Sequence, residues 1–85
     1  MKIECRFFAS VREQLDCSQE FVDVPDHINT VGQLRRWLAG RGGVWASVLG
    51  DAQTVRMAYQ HQMCDGDMPI AADQEVAFFP PVTGG

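Results

Sequence analysis

Strand-like runs stand at both ends of this 85-residue chain. In Lys2 to Phe8 the residues Ile3, Cys5 and Phe7 alternate with Lys2, Glu4 and Arg6, the period of two that marks a strand with one buried face. Glu75 to Phe79 repeats the pattern, with Val76 and Phe78 inward. A chain of this length supports a single modest core, so both ends belong to the same sheet. That arrangement makes them parallel neighbours, although periodicity alone leaves the pairing open.

The segments between them supply the rest of an α+β domain. Ser10-Val11-Arg12-Glu13 has the form of a capping box, and Val11 and Leu15 share a face at i, i+4, so a short helix should follow the first strand. Gln19 to Val24 reads as a second, antiparallel strand, closed by Pro25-Asp26. Thr30-Val31-Gly32-Gln33 offers a second capping box, followed by Val31, Leu34 and Leu38 on one stripe with Trp37 at its margin. This is the main amphipathic helix. Gly40, Gly42 and Gly43 end it, and Trp45, Val48 and Leu49 add a further turn or two. Val55 to Tyr59 and Gln62 to Cys64 are short strands, and Asp65-Gly66-Asp67 is a turn. Pro69 blocks regular pairing before the final strand.

Composition excludes several classes. The formal charge of −4 argues against a general attraction to nucleic acid. No run is long and apolar enough for a membrane span, and Met1 to Cys5 lacks the features of a signal peptide, so no membrane partner is expected and the cytoplasm is the expected location. Cys5, Cys17 and Cys64 are odd in number and show no Cys-x-x-Cys spacing, which indicates neither a disulfide framework nor a zinc site. His27 and His61 have no ligand-like neighbours in the sequence, and no metal site is expected. Gly40-Arg41-Gly42-Gly43 follows a helix and lacks the order of a phosphate loop. Nothing local builds a nucleophile with its base. The chain reads as something carried between enzymes.

What remains is the end of the sequence and the face of the sheet beside it. If Phe7 and Phe78 are core, strand alternation sends Phe8 and Phe79 to the opposite face. In parallel neighbours they meet at one end of the sheet. The helical material suffices for one face only, so this pair forms an exposed apolar patch, the mark of a partner site. Beyond a domain spanning residues 1–79, residues 80–85 run Pro80-Pro81-Val82-Thr83-Gly84-Gly85. Two prolines stiffen the approach. The final glycines have no side chains to obstruct a narrow cleft, and a terminal carboxylate on Gly85 becomes reactive only when another protein activates it.

Phe7-Phe8-Ala9 with Val11-Arg12-Glu13, together with Glu75-Val76-Ala77-Phe78-Phe79-Pro80-Pro81-Val82-Thr83-Gly84-Gly85, resembles the small subunits of molybdopterin synthase, the sulfur carriers of molybdenum cofactor biosynthesis. The resemblance implies a ubiquitin-like β-grasp fold, a mixed sheet with one main helix packed on one face. It implies that Gly85 is adenylated, converted to a thiocarboxylate and donates sulfur to cyclic pyranopterin monophosphate. Pro80, Pro81, Val82, Thr83 and Gly84 would be the inserted tail, and Phe8, Arg12, Met63 and Phe79 the partner interface. The implied partners are the large synthase subunit in a heterotetramer, an E1-like adenylyltransferase and a sulfur donor of the cysteine desulfurase or rhodanese type. The chain itself would bind no cofactor, ATP being used by the activating enzyme, and the active site would lie on the large subunit. Gln60 stands where the family often has Asn, and Ala72-Asp73-Gln74 where it has Asp-Gly-Asp, which brings the local turn geometry into question. A carrier for thiamin thiazole synthesis, a ubiquitin-like modifier that ends in an isopeptide bond, and an interaction domain with an inert tail are the alternatives.

Overall fold

The computed structural model describes residues 1–81. In chain order the elements are β1 (Lys2–Phe7), α1 (Ala9–Leu15), β2 (Gln19–Asp23), α2 (Val31–Ala39), α3 (Gly43–Leu49), β3 (Arg56–Tyr59), β4 (Gln62–Cys64) and β5 (Glu75–Phe79). The five strands form one mixed sheet in the order β2-β1-β5-β3-β4. β1 and β5 run parallel at its centre, with Cys5 opposite Val76 and Phe7 opposite Phe78. The other pairs are antiparallel.

The inward face explains why this sheet forms. Ile3, Cys5, Phe7, Val22, Val76 and Phe78 are buried in one cluster with Val11 and Leu15 of α1, Val31, Leu34 and Leu38 of α2, and Val48 and Leu49 of α3. Phe7 stacks on Phe78 at 5.8 Å between ring centroids and meets the edge of Trp45 at 5.5 Å. The expected main helix is α2. α1 and α3 bury their apolar residues in the same cluster, so all three helices pack on one face and the other stays uncovered. This is the ubiquitin-like β-grasp arrangement.

Local details depart from expectation at α1. The Ser10 capping box is not made: the helix caps at Phe8 without a side-chain hydrogen bond, and Ser10 lies inside the first turn. Strand pairing decides this. The Phe8 N–H still donates to Phe78 O at 3.1 Å, and Ala9 at φ 51 turns the chain sharply into the helix, one residue ahead of Ser10. The second cap holds, with Thr30 Oγ1 accepting from the Gln33 N–H at 3.2 Å. Gln33 Oε1 accepts from the Asn29 N–H at 2.8 Å, one residue before the cap. The Gly32 and Val31 amides donate to Gly66 O and Met68 O, both at 2.9 Å, so the loop before β5 closes over the start of α2. A Cβ on Gly32 would sit 2.9 Å from Gly66 O, which makes glycine necessary there.

Arginines fasten the helices. The Arg35 guanidinium donates to Leu49 O, Gly50 O and Gln53 O at 2.8, 2.9 and 2.6 Å, satisfying carbonyls left open where α3 ends. Arg41 lies over Trp45 at 4.5 Å and Trp37 at 5.7 Å, and grips the Glu20 carboxylate of β2 with two hydrogen bonds at 2.9 and 2.6 Å. The α2–α3 connection is thereby tied to the edge of the sheet.

The turns singled out in the sequence take left-handed backbone: Gln60 at φ 51, His61 at φ 66 and Asp73 at φ 66. A Gln60 side-chain oxygen accepts from the Glu75 N–H at 2.9 Å, anchoring the β3–β4 hairpin to β5.

Because Gln60 and His61 both have positive φ in a two-residue hairpin loop, His61→Gly should raise stability by about 0.4–1 kcal/mol, read from chemical denaturation. A second expectation concerns Glu20, whose carboxyl is held below its usual range chiefly by the hydrogen bond from Arg41. A depressed folded pKa gives stability that is fully present above the unfolded carboxylate value, about 4.3, and lost as pH falls through the folded value. Melting temperatures of wild type and Glu20→Gln should therefore differ at neutral pH and converge in acid. At this partly exposed position the difference corresponds to about 1 kcal/mol or less.

Candidate functional site

Alternation along each strand builds the uncovered face. Across its middle runs a row in register, Arg6 beside Ala77, Ala77 beside Ala58, and Ala58 beside Met63. One step toward the end of β5, Phe79 lies opposite Arg56. Phe8 follows Phe7, the register partner of Phe78, and so stands next to Phe79. Phe8 is 42% and Met63 52% exposed, whereas Ala77 and Ala58 between them are low and buried. Phe79 is half-buried. The result is a shallow apolar strip on Phe8, Phe79, Ala77, Ala58 and Met63, with Met63 two strand spacings, about 10 Å, from the β5 line.

Arg12 projects from α1 beside this strip. With Phe8, Arg6, Ser18 and Gln19 it lines a concavity of about 210 Å³. The structure thus brings Phe8, Phe79 and Arg12 together at one end of the sheet and places Met63 at the far edge of the same face. Pro80 and Pro81 leave β5 there and line a groove of about 730 Å³ with Val11 and Gln14 of α1, Val44, Ser47 and Val48 of α3, and the 52–55 segment. Val82, Thr83, Gly84 and Gly85, on which the carrier reading turns, lie outside the described residues.

The opposite half of the face is ionic. Arg6 Nε lies 3.0 Å from Glu4 and 3.6 Å from Glu75, and His61 Nδ1 lies 3.6 Å from the other Glu75 oxygen. Beyond this ladder Phe21, in register with Glu4, is 60% exposed. Neither Phe21 nor Arg56 was singled out by sequence. The period of two along β2 could have turned Phe21 outward, but its neighbours across the sheet lie beyond any local signal, and Arg56 stands in a strand whose faces the sequence left unassigned.

No catalytic group emerges at this face among the described residues. Burial pushes the Cys5 thiol up to about 12 and raises that of Cys64, so neither is poised as a thiolate. No cluster of His, Cys, Asp or Glu among the described residues could hold a metal, and no helix among them is long and apolar enough to cross a membrane. What the arrangement can do is dock: an apolar strip, a flanking arginine and an emerging chain segment occupy one end of one face.

The fold and this face define a ubiquitin-like β-grasp protein with an uncovered sheet. Residues 5–85 match the ThiS family, and the chain belongs to that family. It is 39% identical to the molybdopterin synthase sulfur carrier subunit of Escherichia coli (strain K12), over 98% of this chain and 99% of that protein. It is 32% identical to the protein of the same name from Haemophilus influenzae, over 93% of this chain and 94% of that one. Among solved structures, the small archaeal modifier protein 1 of H. volcanii superposes with a TM-score of 0.76 at 28% identity, covering 95% of this chain and 98% of its own.

The two adjacent phenylalanines of β5 should separate in experiment. Phe78→Ala opens the core and should cost about 3–5 kcal/mol of stability. Phe79→Ala should cost well below that range. Denaturant midpoints of the two variants give the comparison, and a reversed order would displace the register by one residue.

Proposed function

We propose that this chain is the sulfur carrier subunit of a molybdopterin synthase. The observation that carries this reading is the near full-length identity to proteins of that name. It is supported by an apolar face that ends where the chain departs toward Gly-Gly. In this reading Gly85 carries the terminal carboxylate. An E1-like adenylyltransferase transfers AMP from ATP to it, releasing pyrophosphate, and so supplies the leaving group that a carboxylate lacks. The outer sulfur of a persulfide on a donor of the cysteine desulfurase or rhodanese type then attacks the acyl carbon and expels AMP. A second thiol cleaves the resulting acyl disulfide, leaving a thiocarboxylate on Gly85 and a disulfide on the donor side.

The loaded tail next enters the large subunit, where its sulfur passes to cyclic pyranopterin monophosphate. Two rounds build the dithiolene of molybdopterin, and two large and two small subunits form the working assembly. The chain's own contribution is physical. Phe8, Phe79 and Met63 hold the partner against the open face, Arg12 borders that contact, and Pro80 and Pro81 stiffen the approach. Residues 80–85 in extended form reach about 20 Å, and Gly84 leaves the thin segment that a cleft admits. In this reading the chemistry resides in the partners.

The likeness to a small archaeal modifier protein favours one second reading, in which the activated glycine is joined to lysines of other proteins. Intact-mass spectrometry of the chain isolated from cells separates the two. A carrier shows exchange of one oxygen for sulfur at the C-terminus, and a modifier shows lysine conjugates. Gly84→Val should lower sulfur loading or transfer severalfold while leaving the melting temperature unchanged, because its Cβ branches obstruct threading. Unchanged rates in both half-reactions would remove the threading role, and a chain bearing neither sulfur nor conjugates would overturn both readings.

A further inference from the structure

The chain has seven basic residues, and the structure accounts for most of them. Arg6 is held by Glu4 and Glu75, Arg36 by Asp51 and Arg41 by Glu20. Arg35 is spent on the carbonyls that end α3. Lys2 begins β1, at the end of that strand remote from Phe8. The remaining two, Arg12 and Arg56, are exposed and have no carboxylate within ion-pair distance among the described residues. Both border the apolar strip. Arg12 shares a concavity with Phe8. Arg56 is the register partner of Phe79 and lines a groove with Met63.

We infer that Arg56, with Arg12, forms a cationic rim on the docking face, and that the partner surface receiving this face presents carboxylates opposite it. The inference rests on the docking role proposed above and adds the chemistry of the occupant. Charge placement supports it. The chain is acidic overall, at −4, yet the outward carboxylates of the sheet lie in its other half, Glu4 and Glu75 held by Arg6 and Asp23 by the N-terminal amine. Glu13 and Asp16 line a separate concavity with Arg12 and make no ion pair with it, so Arg56 carries the inference. Asp65, the acidic residue lining the groove with Arg56 and Met63, turns its carboxylate to the Asp67 N–H at 2.9 Å.

A locally basic edge on an acidic body steers a partner into one orientation, because a partner with carboxylates at the matching place is attracted there and repelled elsewhere. A guanidinium beside Phe79 and Met63 loses water when the strip is covered. The planar fork then favours a carboxylate held by two hydrogen bonds. Arg56 thereby fixes which way round the partner sits on a strip that is otherwise nonspecific.

Calorimetric titration of the full-length chain with the purified large synthase subunit from the same organism tests this, at about 50 mM and about 500 mM salt. Wild-type affinity should fall at high salt. Arg56→Glu should bind at least about tenfold more weakly at low salt, with much of the salt dependence gone, while Arg36→Glu, remote from the strip, binds as wild type. An Asp or Glu to Arg change on the large subunit should restore binding to Arg56→Glu. Arg56→Gln provides a milder variant, and melting curves establish that both variants are folded. If Arg56→Glu binds as well as wild type or better while Phe79→Ala weakens binding, the cationic rim is wrong and the docking face stands. If both bind as wild type, the docking face falls and the rim falls with it.

Discussion

Everything in this domain hangs on the parallel pairing of β1 with β5. It joins the two ends of the chain at the centre of the sheet and seats Phe7 against Phe78 beneath α3. The same register that buries those rings turns Phe8 and Phe79 outward together. Core and docking strip are therefore two consequences of one alignment: shifting either strand by a residue would exchange them. The pairing is also a non-local contact, and the entropy of closing the long loop between its strands opposes it.

The uncovered face carries an energetic cost. A large apolar side chain left in water forgoes about 1.5–3 kcal/mol relative to burial, and Phe8, Phe21 and Met63 all remain largely exposed. The cost is limited by Ala77 and Ala58, small enough to be buried among their neighbours. The strip is consequently shallow, suited to a broad surface contact, while a separate groove beside α1 and α3 is lined in part by Pro80 and Pro81. Helices confined to one face leave room for a partner on the other, so the single-layer cover of the sheet belongs to the function proposed for it.

Charge is divided between stability and recognition. Arg41, placed over Trp37 and Trp45 and bonded to Glu20, secures the helical layer to strand β2. Arg35 ends α3. Arg6 neutralises the carboxylates at the middle of the open face. With these assignments made, Arg12 and Arg56 beside the strip are available to a partner, while Lys2 lies at the far end of β1.

Alternation and helical period, which are local, made most elements legible in the sequence: the outer strands, the stripe of α2 on Val31, Leu34 and Leu38, and the outward turn of Phe8 and Phe79. Motif resemblance indicated the β-grasp fold and the family. Capping was legible only where no long-range contact competed: the Thr30 cap formed as read, while the Ser10 cap lost to the hydrogen bond between Phe8 and Phe78, which lies across seventy positions of chain. Which side chains share a strand face is a local matter, because the period of two is a property of the backbone. Which faces of different strands adjoin is settled by the folded sheet. It alone set Arg56 beside Phe79 and Met63, separated Phe21 from the strip by the Glu4–Arg6–Glu75 ladder, and left Arg12 and Arg56 without carboxylates among the described residues, since register between strands is fixed by packing across the whole sheet.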